Sequence, residues 1–277
     1  MQIIEPSVEL WKNINNVAHF ARCASVCYAT ETITNYDKFR DKLINSGHLS
    51  MLRHESYYYI IPRYALYTNN YFDTIFNSPY CCVEYGHENI YLSTNGQYIH
   101  DNKLAREVLK NYRVSETEIS EWEEGMNVLR HTFCCITQIS TSRELNRVSP
   151  NNIAEQSTRY VYDNGTLCRP WWFTISENNS CYSKSYNDTI ITNYIKGCKE
   201  QFDNYKNLVE LGMKKQDARG VLPLDTATKC VYTYSIKEWR NILDLRYYGT
   251  TGSPHPNAKI IAKIIRQRLI NLGYEFR

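Results

Sequence analysis

Three arginine-bearing segments hold the residue types most capable of chemistry in this sequence. The first runs Arg143-Glu144-Leu145-Asn146-Arg147 and resumes at Glu155-Gln156-Ser157-Thr158-Arg159-Tyr160. The second is Ala218-Arg219-Gly220-Val221-Leu222-Pro223-Leu224, and the third is Glu238-Trp239-Arg240-Asn241 continuing to Asp244-Leu245-Arg246. A guanidinium presents a planar fork of N–H donors that meets a phosphate through two parallel, charge-assisted hydrogen bonds. Ser157 and Thr158, beside Arg159, would add hydroxyl and backbone N–H donors to such a cradle. The chemistry these residues suit is the binding of an anion, a nucleotide phosphate among the candidates. The competing reading is of surface arginines in ordinary ion pairs, which contribute little. Composition alone leaves both open.

Other reactive residue types fit less well. Ser157 lacks the Gly-x-Ser-x-Gly turn that exposes a serine nucleophile. Seven histidines and ten cysteines invite a metal site, but the adjacent pairs Cys81-Cys82 and Cys134-Cys135 lack zinc-site spacing and no CxxC occurs, so no metal is expected. The cysteines read as reduced, mostly buried thiols. His54 precedes an apolar strand and could be either a structural or a site histidine. Trp171-Trp172-Phe173 could stack on a flat ring, but core packing is the simpler account.

The elements that must position these residues follow from periodicity. Helices are expected over 17–29 and 35–46, the second ended by Gly47. A β-rich run spans Glu55–Tyr64, and residues 65–100 read as polar turns and short strands. Asp101 is placed to cap a helix through Tyr112, and Glu116–Arg130 reads as another. His131–Ser140 looks like a buried strand. A strand is expected at Trp171-Trp172-Phe173, an exposed loop over 176–188, and a helix over 192–210. Ser235 and Glu238 have the spacing of a capping box, which starts a helix running to Arg246. The last helix, 257–272, sets Ile260, Ile261, Ile264, Ile265 and Leu269 on its buried side. With no repeat, linker or clear boundary, one α+β domain is the expected organisation.

The 277 residues suffice for a sizeable core, and 43% hydrophobic with 22% charged residues is a globular balance. A net charge of +3 is too small for a duplex-binding surface, so no nucleic-acid polymer is expected as partner. No run reaches the roughly 18 apolar residues of a membrane span, and the first fourteen residues lack a signal-peptide core. A cytoplasmic protein with no membrane partner is the expectation.

Set in order, the arginine segments resemble the flavin-dependent thymidylate synthases. Arg147 to Tyr160, ending Ser157-Thr158-Arg159-Tyr160, resembles that family's signature, which opens Arg-His-Arg and closes Ser-x-Arg-Tyr. Gly47-His48 followed by His54 resembles its Gly-His…Glu-His segment, with Arg53 in place of the Glu. Arg143-Glu144-Leu145, Arg219 to Leu224, and Trp239-Arg240-Asn241 to Arg246 with His255-Pro256 resemble three further segments in the same order. The resemblance implies a mostly antiparallel sheet flanked by helices, in a homotetramer whose active sites lie at subunit interfaces. It implies transfer of a one-carbon unit from 5,10-methylenetetrahydrofolate to C5 of dUMP, giving dTMP, with FAD as cofactor and NADPH as reductant. Residue by residue, it assigns Glu144, Arg147, Glu155, Gln156, Ser157, Thr158, Arg159 and Arg219 to the nucleotide and Arg246 to catalysis, by polarising the uracil. To the flavin it assigns His54, Ser56, Arg147, Glu155, Ser235 and Asn241.

The departure is at Arg147-Val148-Ser149, where the family has Arg-His-Arg. Losing a fixed cation removes a charge-assisted hydrogen bond of about 1.5–3 kcal/mol, which Arg143 or Arg53 could replace. Segments of about 66–130 and 165–200 read as insertions. Two alternatives stand beside thymidylate synthesis. One is a relative with an altered nucleotide or a hydroxymethylated product; the other is a non-catalytic nucleotide-binding homologue.

Overall fold

The computed structural model describes residues 1–30, 33–175 and 181–277. Strands β1 (Gln2–Ile4) and β2 (Ser7–Trp11) lead into helices α1 (Asn16–Tyr28) and α2 (Tyr36–Asn45). Each helix starts at an asparagine cap: Asn15 Oδ1 accepts from the amides of Val17 and Ala18, and Asn35 Oδ1 from Lys38. A 3-10 stretch, Leu49–His54, delivers the chain to β3 (Ser56–Pro62). Then come α3 (Tyr71–Phe76), β4 (Cys82–Tyr85), β5 (Asn89–Asn95), α4 (Gly96–Asp101), α5 (Lys103–Leu109), β6 (Arg113–Val114), α6 (Glu116–Ser120) and α7 (Glu123–Val128).

The second half begins with β7 (Arg130–Gln138), α8 (Ile139–Leu145), β8 (Ile153–Glu155), β9 (Thr166–Cys168), β10 (Thr174–Ile175) and β11 (Cys181–Tyr182). The long α9 (Asp188–Glu210), the short α10 (Lys215–Ala218), β12 (Ala227–Ser235) and α11 (Ile236–Leu243) follow. A π-helical turn, Asp244–Tyr248, and α12 (Pro256–Asn271) complete the chain.

Two four-stranded antiparallel sheets result, in the orders β2-β7-β12-β8 and β4-β5-β3-β6, with β1 and β9 as a parallel pair. The first sheet is covered on both faces, which is why β7 reads as a continuous apolar run rather than an alternation. Phe133 and Cys135 of β7, with Cys230, Tyr232 and Tyr234 of β12, face Trp239, Ile242, Ile261, Ile265 and Leu269 of α11 and α12. The intervening Cys134 and Val231 face Cys23 and Val26 of α1. The α+β class and the mostly antiparallel sheet expected from the sequence are what the structure has.

Several elements differ from expectation. Residues 65–100 hold most of the second sheet, including the seven-residue β5, together with α3 and α4. Asp101 does not cap a helix; it ends α4, where its carboxylate accepts from Gln97 Nε2 at 3.2 Å. The helix expected over 116–130 is broken in two and Arg130 already opens β7; the two pieces pack so closely that a Cβ on Gly125 would lie 1.9 Å from the Ile119 carbonyl oxygen. Trp171 and Trp172 form a turn, and only Thr174–Ile175 is strand; Phe173 is buried, as a core residue should be. Of the loop expected over 176–188, residues 176–180 lie outside the described residues, Cys181–Tyr182 pair with β10, and Asp188 already belongs to α9. Strand β12, central to the first sheet, was not anticipated.

Candidate active site

The third arginine segment is positioned by α11. Its capping box is present: Ser235 Oγ accepts from the Glu238 amide at 3.3 Å, and Glu238 Oε2 accepts from the Ser235 amide at 2.7 Å. Ile236, Trp239, Ile242 and Leu243 are buried, which leaves Asn241 on the exposed side. The helix then widens into the π-helical turn that bears Arg246. There Arg246 Nε donates to the Glu144 carbonyl, and its Nη2 lies 3.2 Å from Glu144 Oε2. Arg147 Nη2 lies 3.5 Å from the same carboxylate oxygen, and Asn241 Nδ2 donates to the Arg147 carbonyl at 3.2 Å. Glu144, Arg147, Asn241 and Arg246, separated by up to about a hundred positions in sequence, therefore form one cluster with two cations on one carboxylate. Arg246 is the most enclosed of the three ionic groups, its side chain 12% exposed against 40% for Glu144. Burial and then Arg147 push its pKa down, with Glu144 opposing; a guanidinium nonetheless stays charged at neutral pH.

A second cluster forms where β8 ends. Gln156 N donates to the Lys229 carbonyl at 2.9 Å and Ser157 N to the Cys27 carbonyl at 3.0 Å, which ties the chain to β12 and to α1. Ser157 Oγ accepts from the Arg159 amide at 3.2 Å, and the Ser157 carbonyl accepts from the amides of Tyr160 and Val161, so residues 157–161 form one tight turn. Arg219 Nη1 donates to Thr158 Oγ1 at 3.0 Å, and Lys215 Nζ to the Tyr160 carbonyl at 3.2 Å. Lys215 escaped the sequence reading. Its position four residues before Arg219, on one helical face, was the available signal. Between the clusters stands Glu155, whose Oε1 accepts from Ser142 Oγ of α8 at 2.9 Å and from Thr228 Oγ1 of β12 at 3.1 Å.

Among the described residues, no hydrogen bond or ion pair joins the Arg147–Arg246 pair to Arg159 or Arg219.

The residues assigned to the flavin divide sharply. Arg147, Glu155 and Asn241 keep solvent-facing surface. His54, Ser56 and Ser235 do not, and association with further chains can only cover more of them. His54 has no exposed surface; its Nδ1 lies 2.8 Å from Thr233 Oγ1, which contacts Thr132 Oγ1 at 2.8 Å, which in turn meets His19 Nε2 at 2.8 Å. Burial first, then His19 and Arg130, push its pKa down to about 3, so it is a neutral imidazole bracing α1 and the first sheet. Ser56 is locked by its backbone to the Asn16 amide group, and Ser235 is consumed as a helix cap. Nε2 of His54 and Oγ of Ser56 are nonetheless buried with no hydrogen-bond partner among the described residues, so each keeps one polar atom unused. Of the other residues singled out, His48 bonds Ser46 Oγ at 3.0 Å and His255 caps α12. Arg53 ties Gln97 to the Asn151 carbonyl, so it holds the connection that contains Val148 and Ser149.

The family model described as thymidylate synthase complementing protein matches residues 104–269, more than half of the chain and every member of both clusters. The chain belongs to this family. The match begins after Gly47-His48 and His54. Solved structures similar to this family member include the UMP/dUMP methylase PolB of Streptomyces cacaoi bound with 5-Br dUMP. The likeness has a TM-score of 0.49 at 15% identity, covering 98% of this chain and 93% of that one. The same enzyme bound with 5-Br UMP gives 0.48 at 15% identity, covering 98% and 92%. Likeness at that level is no ground for carrying a ligand across. No curated protein matches the sequence.

Proposed function

We propose that this thymidylate synthase complementing protein modifies C5 of a pyrimidine nucleoside monophosphate with a one-carbon unit, dUMP to dTMP being the favoured reaction. The observation that carries the reading is the convergence of Arg147 and Arg246 on Glu144 inside the stretch matched to the family. An enclosed cation beside a second one suits a uracil ring whose carbonyl oxygens gain negative charge as C5 becomes nucleophilic. Arg246 would stabilise that charge, and Glu144 would hold its fork in place before substrate arrives. The turn at Ser157, Thr158 and Arg159, with Arg219 behind it, would take the phosphate through N–H, O–H and guanidinium donors. The reading takes the site to be completed between chains, as in a homotetramer.

Arg147, Asn241 and Glu155 fit a flavin on polar chemistry and exposure; His54 and Ser56, enclosed in the single chain, each keep an unpartnered polar atom, and Ser235 is engaged as a helix cap. FAD, when bound, supplies the redox capacity for placing the carbon, with NADPH as reductant and methylenetetrahydrofolate as carbon source. The protein's own part is positioning and electrostatics. The altered Arg147-Val148-Ser149 segment and the enclosed His54 support a second reading, in which flavin is held differently and the nucleotide or product differs.

Absorption of the purified protein at the flavin bands, followed by mass spectrometry of products from dUMP and dCMP with methylenetetrahydrofolate and NADPH, tests the proposal. A yellow protein that forms dTMP supports it. A hydroxymethylated product or action on dCMP supports the second reading, and a colourless protein that FAD cannot reconstitute and that turns nothing over is a binding module.

A further inference from the structure

The π-helical turn that carries Arg246 is tied at its far end to a part of the chain with no place in the reading above. Tyr248, two residues beyond Arg246, donates its hydroxyl to the Arg277 carbonyl at 2.5 Å and accepts from Arg266 Nε of α12 at 2.8 Å. Arg266 Nη2 donates to the same carbonyl at 2.9 Å, which closes a three-membered ring of contacts. The Arg266 guanidinium also lies 5.2 Å and 5.8 Å from the ring centres of Tyr247 and Tyr248, within cation–π range. Residues 274–277 are anchored independently, because the Tyr274 hydroxyl meets His131 Nε2 at 2.7 Å.

Apolar packing holds the turn only in part, with Tyr247, Tyr248 and Phe276 partly buried against the core of the first sheet. A cavity of about 340 Å³, lined by Arg240, Asp244, Tyr248, Glu275, Phe276 and Arg277, lies beside these contacts. A π-helical turn is also a poorer helix than the α11 that precedes it. It ends at Gly249 in the left-handed region, φ +72°, with the amides of Gly249 and Thr250 both on the Asp244 carbonyl. Beyond that packing the turn has two polar holds, Arg246 on Glu144 at one end and Tyr248 on Arg266 and Arg277 at the other.

We propose that Tyr248 and Arg266 are positioning residues for Arg246, clamping the π-helical turn to α12 and to residues 274–277 so that the guanidinium keeps one place. The inference rests on the reading of Arg246 as the group facing the pyrimidine. Tyr248→Phe keeps the ring and its stacking and deletes both hydroxyl bonds. Hydrogen exchange of the Gly249 and Thr250 amides should then speed up selectively. Turnover of the pyrimidine nucleotide should drop about tenfold in kcat, since small misplacements of a catalytic group are costly, while KM stays within about twofold. A merely structural weakening would instead raise KM and loosen exchange across α11 and α12 together. Arg266→Lys, which keeps the charge and loses the two-armed grip, gives the same readout if Tyr248→Phe fails to fold. Unchanged exchange at Gly249 and Thr250, or a kcat within about twofold of the wild type, overturns the proposal. Arg246→Ala, measured in parallel, separates the two layers. If that variant keeps wild-type turnover, or the wild type has none, the functional reading falls, and the exchange data still decide whether the clamp exists.

Discussion

Replacing Arg246 by alanine should cripple turnover while costing at most about 2 kcal/mol of stability, and the structure sets both magnitudes. The side chain is mostly enclosed, so its charge acts on a bound ring through little intervening water. Removing one such donor from a developing oxyanion typically lowers kcat by about 10²–10³, or roughly 2.7–4 kcal/mol. The structural loss is smaller. Glu144 is 40% exposed and keeps Arg147 at 3.5 Å, so the lost ion pair is worth at most about 1 kcal/mol. Loss of the Nε hydrogen bond to the Glu144 carbonyl adds about another 1 kcal/mol.

Steady-state rates from mass-spectrometric product formation, beside a thermal melt followed by circular dichroism, measure the two effects on one preparation. If the interaction is made only as charge develops, kcat and kcat/KM should fall together. Arg246→Lys restores the charge without the fork and should lie between. Turnover within about threefold of the wild type in a folded Arg246→Ala protein would refute the catalytic role. A loss confined to KM would reassign Arg246 to ground-state binding.

Glu144→Gln strips Arg147 and Arg246 of their shared counter-charge, so the unliganded protein should lose about 1 kcal/mol at low salt and gain more melting temperature from dUMP than the wild type does; equal dUMP-induced shifts would reject that role. His19, His54 and His131 have pKa values pushed by burial to about 4, 3 and 4, below the ordinary 6.5. The unfolded chain thus binds protons that the native chain excludes, and their contribution to stability, complete above pH about 6.5, is lost as pH falls toward 4. Urea titrations should show roughly two to three protons taken up on unfolding near pH 5, each about 1.4 kcal/mol per pH unit, and a flat profile from pH 7 to 5 contradicts this. Gly125→Ala should cost at least about 1–3 kcal/mol because the new methyl meets backbone, whereas Gly197→Ala, with open space inside α9, should stabilise by about 0.5–1 kcal/mol; chemical denaturation of the pair that ranked them the other way would discredit the close approach at Ile119.

What could be read from sequence follows from the range of the physics involved. The stripe of α12, the buried run of β7 and the capping box at Ser235 are local patterns, and the structure has all three. Strand β12, Ala-Thr-Lys-Cys-Val-Tyr-Thr-Tyr-Ser, is rich in β-branched and aromatic residues, yet both of its faces are covered and no alternation announces it. The chemistry was visible as arginines suited to an anion, but which of them share a carboxylate was not. That depends on α8 and α11 packing on the same sheet, about a hundred residues apart. His54 makes the same point from the other side, since its burial is set by Thr132 and Thr233, which no pattern near residue 54 reports. Ser235 is the instructive case, because two signals competed at one position. Resemblance to a family made it a flavin contact, while Glu238 three residues on made it a helix cap, and in the capping box its only hydroxyl proton is donated to Glu238. Where a short-range hydrogen-bonding motif already consumes a side chain, it should outrank a role inferred by resemblance. By that rule Asn241 and Arg147, whose side-chain donors still have surface to spare, are the stronger claims on a cofactor.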